Sequence, residues 1–391
     1  MKEPRAILAE TPEQLLLRLL EVPEEDAEPH DARRVGIGPE DAQGDVMEER
    51  HTRSSRLVLV ARGSWLVARG SWLVARYNKS NVARVIPLTP GSLAAAPSKA
   101  PRQPKPDWLK VRAPGSPSYL RLKGLMRQLD LHTVCEEAQC PNIGECWNHG
   151  TATFMILGDV CTRACSYCAV EHGRPHALDA GEPKRVASAI GTLDLSYVVI
   201  TSVDRDDLPD GGASVFAATI RETRARVPDC RIEVLIPDFQ GNEAALRTVL
   251  DARPDVLNHN TETVPRLYRT ARSGGRYART LELLDRARRY DPNIPTKTGL
   301  MVGLGEEDAE IVETLCDLRR VDCQVLTIGQ YLRPSAAHAP MARYYHPDEF
   351  GELKRIALDL GFVHVESGPL VRSSYHAHET ADAYERAASA R

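Results

Sequence analysis

From Trp108 onward, short apolar runs alternate with longer stretches in which apolar residues recur every three or four positions. The runs Thr153–Leu157, Tyr197–Thr201, Ile232–Ile236, Val256–Asn260, Lys297–Val302 and Val325–Tyr331 have the length and β-branched content of buried strands. Between and after them, Pro183–Leu193, Ala213–Arg226, Glu243–Ala252, Leu281–Arg289, Asp308–Arg320 and Asp348–Leu360 carry a helical period. Strand and helix alternating this regularly predict βαβ units around a parallel sheet. Six such units suit an α/β fold with an incomplete (β/α)6 barrel. A doubly wound open sheet is the competing topology. Either arrangement gathers functional residues at the C-terminal ends of the strands.

The chain before this point reads differently. An acidic segment leads to the tandem repeat Arg62-Gly-Ser-Trp-Leu-Val-Ala68 and Arg69-Gly-Ser-Trp-Leu-Val-Ala75. Two short copies are too few for a solenoid or a coiled coil. Residues Pro87 to Pro106, rich in Pro, Ala, Ser and Lys, read as a linker. Residues 1–105 are therefore expected to be largely disordered, with one short helix at Pro12–Leu20. A misassigned start codon is the alternative, and no function is assigned here. The expected division of the rest is 106–152 as a cysteine-bearing segment, 153–361 as the barrel and 362–391 as a C-terminal segment.

Composition narrows the classes. The chain has 391 residues, 42% hydrophobic, and a formal net charge of -4. The strong positive charge of a nucleic-acid binder is lacking. The most apolar stretch, Leu57 to Tyr77, is broken by Arg62, Arg69 and Arg76, and falls short of a membrane span. The acidic first thirty residues suit neither a secretory signal nor a transit peptide, so a cytoplasmic location is expected.

The nine cysteines carry the chemistry: six fall between Cys135 and Cys168, while Cys230, Cys316 and Cys323 are scattered and read as small buried hydrophobes. Cys161-Thr-Arg-Ala-Cys165-Ser-Tyr-Cys168 places three thiols on the loop after the first predicted strand. A structural zinc site usually takes four ligands, although a zinc loop stays open as a reading. An iron–sulfur cluster held by three cysteines keeps one iron for a substrate or cofactor, and such clusters reach strongly reducing potentials. Upstream, Cys135, Cys140 and Cys146 follow the spacing C-x4-C-x5-C and again lack a fourth ligand.

The spacing C-x3-C-x2-C, with Tyr167 before its last cysteine, resembles the radical S-adenosylmethionine (SAM) superfamily signature. The two cysteine motifs together resemble the lipoyl synthase family within it. Pro141–Trp147, Thr151–Arg163, Val198–Gly212, Asn258–Arg266 and Gln330–Ser335 look like that family's sequence words. The resemblance runs from about Lys105 to Ala377 and ends in Arg372-Ser-Ser-Tyr-His-Ala377. It implies two 4Fe-4S clusters. Cys161, Cys165 and Cys168 would hold the one that binds SAM. Cys135, Cys140, Cys146 and, from the C-terminal motif, Ser374 would hold an auxiliary one that gives up sulfur. The bland reading of Ser373 and Ser374 is a hydrogen-bonded turn.

The activity so implied is insertion of two sulfur atoms, at C6 and C8, into the octanoyl group of a protein-bound octanoyl-lysine. The partners would be octanoylated lipoyl carrier domains, such as E2 subunits or the glycine-cleavage H protein, and a low-potential electron donor. Neither nucleic acid nor membrane is expected. By position at strand ends, Ser202, Asp204, Asn260, Glu262 and Arg272 are candidates for SAM, each weighed against a role in satisfying loop backbone. Asp204-Arg-Asp-Asp207 reads equally as a local salt-bridge cluster. Tyr331 and Arg333 are placed to face substrate or the auxiliary centre, and His259 reads as a core histidine. The alternatives are another radical SAM sulfur-inserting enzyme and a non-enzymatic iron–sulfur electron carrier. A carrier would be expected to give each cluster four cysteines.

Overall fold

The computed structural model describes residues 104–111, 114–138, 140–148 and 153–375, with single residues at 377, 379, 383 and 386, and four strand segments within 57–87. Those four, Leu57–Val58, Leu66–Ala68, Leu73–Arg76 and Arg84–Pro87, form an antiparallel sheet in chain order. The tandem repeat supplies its two middle strands, which pair Leu66 with Ala75 and Ala68 with Leu73. The helix expected at Pro12–Leu20 lies outside the described residues.

The main sheet is assembled from β1 (Thr153–Ile156), β2 (Tyr197–Ser202), β3 (Arg231–Leu235), β4 (Val256–Asn258), β5 (Thr296–Val302), β6 (Val325–Gln330) and β7 (His364–Gly368). Neighbours in space are neighbours in sequence, and all seven run parallel. A doubly wound sheet would reverse its order at a switch point; this one never does. The crossover helices are α1 (Glu182–Thr192), α2 (Ala213–Arg226), α3 (Glu243–Asp251), α4 (Tyr277–Tyr290), α5 (Asp308–Arg320) and α6 (Pro347–Leu360). Successive helices pack on one another, and the α4–α5 step is joined by the Tyr277 hydroxyl, which donates to Asp317 at 2.8 Å. The result is a partial barrel, left open between β7 and a short antiparallel edge strand, His132–Thr133, beside β1.

Sequence and elements agree for physical reasons. Pro347 opens α6 after a capping box of His346 and Glu349, and Gly361 closes it with φ +97°. Val198 and Ile200 face the helices, whereas Tyr197 and Val199 form a separate buried group with Val256 and Ala377. The pleat thus separates a helix-facing core from the barrel interior. Low in that interior, Lys297 and Glu233 pair at 3.0 Å, fully buried, with Tyr197 and Asn258 also bonded to Glu233.

The seventh strand falls within the stretch expected as the C-terminal segment. His364-Val-Glu-Ser-Gly368 has one fully buried side chain, Val365, because an edge strand is covered on fewer sides. Its polar character hides it from a search for apolar runs.

Candidate active site

The loop after β1 begins at Leu157 and Gly158, both with positive φ. It is pinched by a two-residue parallel pairing of Val160–Cys161 with Glu171–His172. Gly212, φ +89°, starts α2 so close to Leu157 that a Cβ there would overlap its side chain. With Gly211, φ +59°, set close to Phe239, these contacts explain the paired glycines of the Val198–Gly212 run.

Cys161, Cys165 and Cys168 are all half-buried on this loop. The Cys161 sulfur accepts N–H bonds from Arg163 (3.4 Å) and Asp204 (3.3 Å). Burial pushes Cys165 up to about 11 and Cys168 to about 12, and Cys161 upward as well, with Arg272 opposing it at Cys165. Cys161 and Cys165 each act on Cys168, so the three thiols share one field. Neutral thiols crowded in this way form a good anionic nest only when a cation draws off their protons.

Tyr167 and three of the positions expected to bind SAM, Asp204, Glu262 and Arg272, meet Cys165 there. Tyr167 faces both Cys165 and Glu262 with its hydroxyl and lowers both. Glu262 sits at φ +69°, a left-handed position that costs energy for a side chain with a Cβ. Backbone bonds to Gly299 and Met301 on β5 hold it so. Burial raises its carboxyl against the pull of Arg272. Arg272 is buried, donates to the Asn260 carbonyl at 2.7 Å, and acts on Cys165, Tyr167, Asp204 and Glu262. Part of its capacity is thus spent on loop backbone, as the plainer reading of Arg272 had it.

Among the buried polar atoms without hydrogen-bond partners are Ser202 Oγ, Asp204 Oδ1 and Asn260 Oδ1, at or just past the ends of β2 and β4. Asp204 Oδ1 lies 3.3 Å from Arg163 Nη1 as an ion pair, without hydrogen-bond geometry. Unsatisfied buried groups are rare, and three at the C-terminal ends of two neighbouring parts of the sheet suit a polar ligand. Of the Asp204–Asp207 run, only Asp204 faces the cysteines. Asp207 binds Arg205 at 2.9 Å and Asp206 binds Arg163 at 2.7 Å, so these two act as a local salt-bridge cluster.

Arg163 was not singled out from sequence. It is nearly inaccessible and also pairs with Asp238 at 2.6 Å, which Arg279 bonds in turn at 3.0 Å. Burial alone would raise Asp238, but Arg163 holds its carboxyl well below the usual range. His259 is a core histidine: Ile236 O and Thr280 Oγ1 satisfy its ring, and burial takes it down to about 3. Tyr331 and Arg333 bond to the carbonyls of Ala339 and His338, shaping the loop after β6. Cys230, Cys316 and Cys323 are buried.

The second thiol group is built from short pieces. Cys135 lies in the single turn Val134–Glu137, capped by Thr133, and Cys146 in Ile143–Asn148. Backbone bonds from Cys140 to Cys135 (3.0 Å) and from Cys146 to Asn142 (2.9 Å) close the segment. Burial and mutual repulsion push Cys135 and Cys146 to about 12. The buried Trp147 indole N–H turns toward the Cys135 sulfur.

The C-terminal motif arrives at this place. After β7 the chain crosses β6 at Gly329, where a Cβ would overlap the Val371 carbonyl oxygen. Asn142 Nδ2 donates to the Leu370 carbonyl at 2.6 Å. The Arg372 guanidinium acts on Cys140, and the Tyr375 hydroxyl donates to Glu145 at 3.2 Å and acts on Cys146. Ser373 and Ser374 occupy the turn closed by Tyr375 N and Arg372 O. Ser373 Oγ accepts from Asn260 at 3.4 Å, tying the turn to the end of β4. Among the described residues, no three His, Cys, Asp or Glu side chains are set around one metal ion. The thiol groups are linked through their fields at wider spacing. No described helix is long and apolar enough to cross a membrane.

The chain is similar in sequence to known proteins. Residues 155–318 match a model of the radical SAM superfamily, and residues 92–140 match the N-terminal domain of lipoyl synthase of that family. A lipoyl synthase of Rubrobacter xylanophilus is 61% identical over 74% of this chain and 91% of its own. One of Koribacter versatilis is 62% identical over 71% and 92%. One of Chloroflexus aurantiacus is 57% identical over 76% and 97%.

Proposed function

The chain belongs to the lipoyl synthase family of radical SAM enzymes, and on that premise we propose that it inserts sulfur at C6 and C8 of an octanoyl-lysine presented by a lipoyl carrier domain. Family membership sets aside the electron-carrier alternative and the other sulfur-inserting radical SAM enzymes. The observation that carries the assignment of residues is the meeting of Arg372–Tyr375 with Cys140, Cys146 and Glu145. A segment bearing two serines thus reaches the thiol group that lacks a fourth ligand.

When loaded, two 4Fe-4S clusters and SAM supply a hydrogen-abstracting radical at one centre and sulfur at the other. Cys161, Cys165 and Cys168 would hold the first cluster, three ligands that suit a centre which also binds SAM. Ser202, Asp204 and Asn260 offer SAM the buried polar atoms that otherwise go unmatched. Arg272 keeps positive charge beside Cys165 and Glu262, so Tyr167 and Glu262 stay fixed against the cluster. Cys135, Cys140, Cys146 and Ser374 would hold the auxiliary cluster, with the serine oxygen as a harder partner than the thiolates. The low-potential donor reaches the first centre. The carrier domain's lysine arm would have to reach between the two centres, shielded from water.

An anaerobic single-turnover assay tests this reading. Iron-reconstituted protein receives SAM, dithionite and an octanoyl-lysyl peptide, and mass spectrometry reads the peptide and 5′-deoxyadenosine. A gain of two sulfurs with deoxyadenosine is expected. Neither product, with both clusters loaded, would overturn it.

A further inference from the structure

We propose that His338 is a positioning residue that locks the Ser166–Cys168 turn into the shape its cluster needs; this rests on the assignment of Cys161, Cys165 and Cys168 above. The loop after β6 is built from small residues, Ala336, Ala337 and Ala339, around this single ring. Its Nε2 lies 2.9 Å from the Cys168 carbonyl oxygen, and since a carbonyl only accepts, Nε2 donates. The other ring nitrogen, Nδ1, lies 2.9 Å from Ser335 Oγ, which fixes the ring plane.

The next residue holds the other end of the same turn. Ala339 N–H donates to the Ser166 carbonyl at 2.7 Å. The gripping loop is itself held: Tyr331 donates to Ala339 O at 2.8 Å, and Arg333 Nε to His338 O at 3.0 Å. From the opposite side, Ser166 donates its N–H to Ala271 O and its hydroxyl to Thr270 O, each at 2.9 Å. The turn that carries Tyr167 and Cys168 is therefore clamped between the loops after β4 and β6.

Of the two bonds from the β6 loop, one comes from backbone and survives any substitution. His338 alone contributes a side chain. Removing it frees the Cys168 carbonyl and lets the following peptide plane rotate, which moves the Cys168 sulfur through their shared Cα. Metal sites lose affinity or rate when such outer hydrogen bonds go, by about 10- to 100-fold. The ring does not touch SAM or the reacting carbon in this account. It acts through Cys168.

The test uses the full chain with both clusters reconstituted, as wild type, His338→Ala, His338→Phe and His338→Gln. The first readout is the change in the electron paramagnetic resonance spectrum of the reduced protein on adding SAM. Only a cluster with an open iron responds to SAM, so the auxiliary centre does not contribute. The second readout splits KM for SAM from kcat for deoxyadenosine. Ala and Phe should lose or broaden the SAM-induced spectral change and lower kcat by about tenfold or more. Iron content and melting temperature should stay at wild-type values. Gln, which keeps an N–H donor, should recover most of the rate. Phe matching wild type would overturn the proposal, because volume and not the hydrogen bond would then matter; so would an Ala variant that behaves as wild type. A wild-type spectrum indifferent to SAM would instead sink the assignment of the cluster.

Discussion

The thiols of the first centre come from one loop, Cys161 to Cys168, braced on both sides by the barrel. Those of the second come from a segment before β1, and they meet a turn that arrives after β7, joined by bonds such as Asn142 to Leu370 and Tyr375 to Glu145. The first centre is thus a local structure placed on a finished scaffold, while the second straddles the open seam of the sheet and needs both chain ends in place. A centre that has to bind SAM repeatedly gains from rigidity. One proposed to surrender sulfur gains from a ligand carried on a segment that can withdraw.

That contrast can be broken most severely at the local centre. Cys165→Ala should take deoxyadenosine formation to background, a loss of at least about a thousandfold, while the auxiliary centre keeps its iron. Chromatographic quantification of deoxyadenosine and iron analysis check both halves.

Ser374→Ala should give the converse, with deoxyadenosine still formed but thiolated peptide reduced by about a hundredfold. Mass spectrometry of the peptide reads the split. Equal loss of both products would mean the two centres are not separable as described.

Gly329→Ala attacks the seam without touching a ligand. Its Cβ would meet the Val371 carbonyl, so the C-terminal turn has to shift. Overpacking of this kind costs about 1–3 kcal/mol. The melting temperature should fall, and sulfur insertion should suffer more than SAM cleavage. Asn142→Ala removes one buried bond across the same seam. It should cost about 1–3 kcal/mol in denaturant unfolding and leave SAM cleavage unchanged.

A smaller, pH-dependent effect belongs to the barrel itself. His259 stays neutral when folded down to about 3, against an ordinary value of 6.5. Below 6.5 the unfolded chain binds a proton that the folded chain refuses. Stability is therefore full above 6.5 and falls as pH drops toward 3, by about 1.4 kcal/mol per pH unit. Urea unfolding at pH 7, 6 and 5 should show that slope, reduced in His259→Gln.

The same contrast explains what the sequence made legible. Strands and helices followed from periodicity because each buries its own pattern, and α2 and α5 match their expected ends, Ala213–Arg226 and Asp308–Arg320. The thiols of the first centre were legible because their spacing is local. The fourth ligand proposed for the second, Ser374, could not be read from spacing, because its turn comes near the cysteine segment only through the fold, as Arg372 does with Cys140; a family resemblance had to supply it. Arg163 and His338 went unread for the same reason: an ordinary Arg and a lone His gain meaning from Asp238 and Cys168, far along the chain. β7 was lost because its polar edge carries no apolar run.

The most direct test of the central claim is the origin of the inserted sulfur. Protein reconstituted with heavy-isotope sulfide, freed of excess sulfide and given one turnover's worth of octanoyl-lysyl peptide, should place the heavy isotope at both positions of the product. Product sulfur of natural isotope, with the labelled clusters intact, would contradict the role given to the centre at the seam.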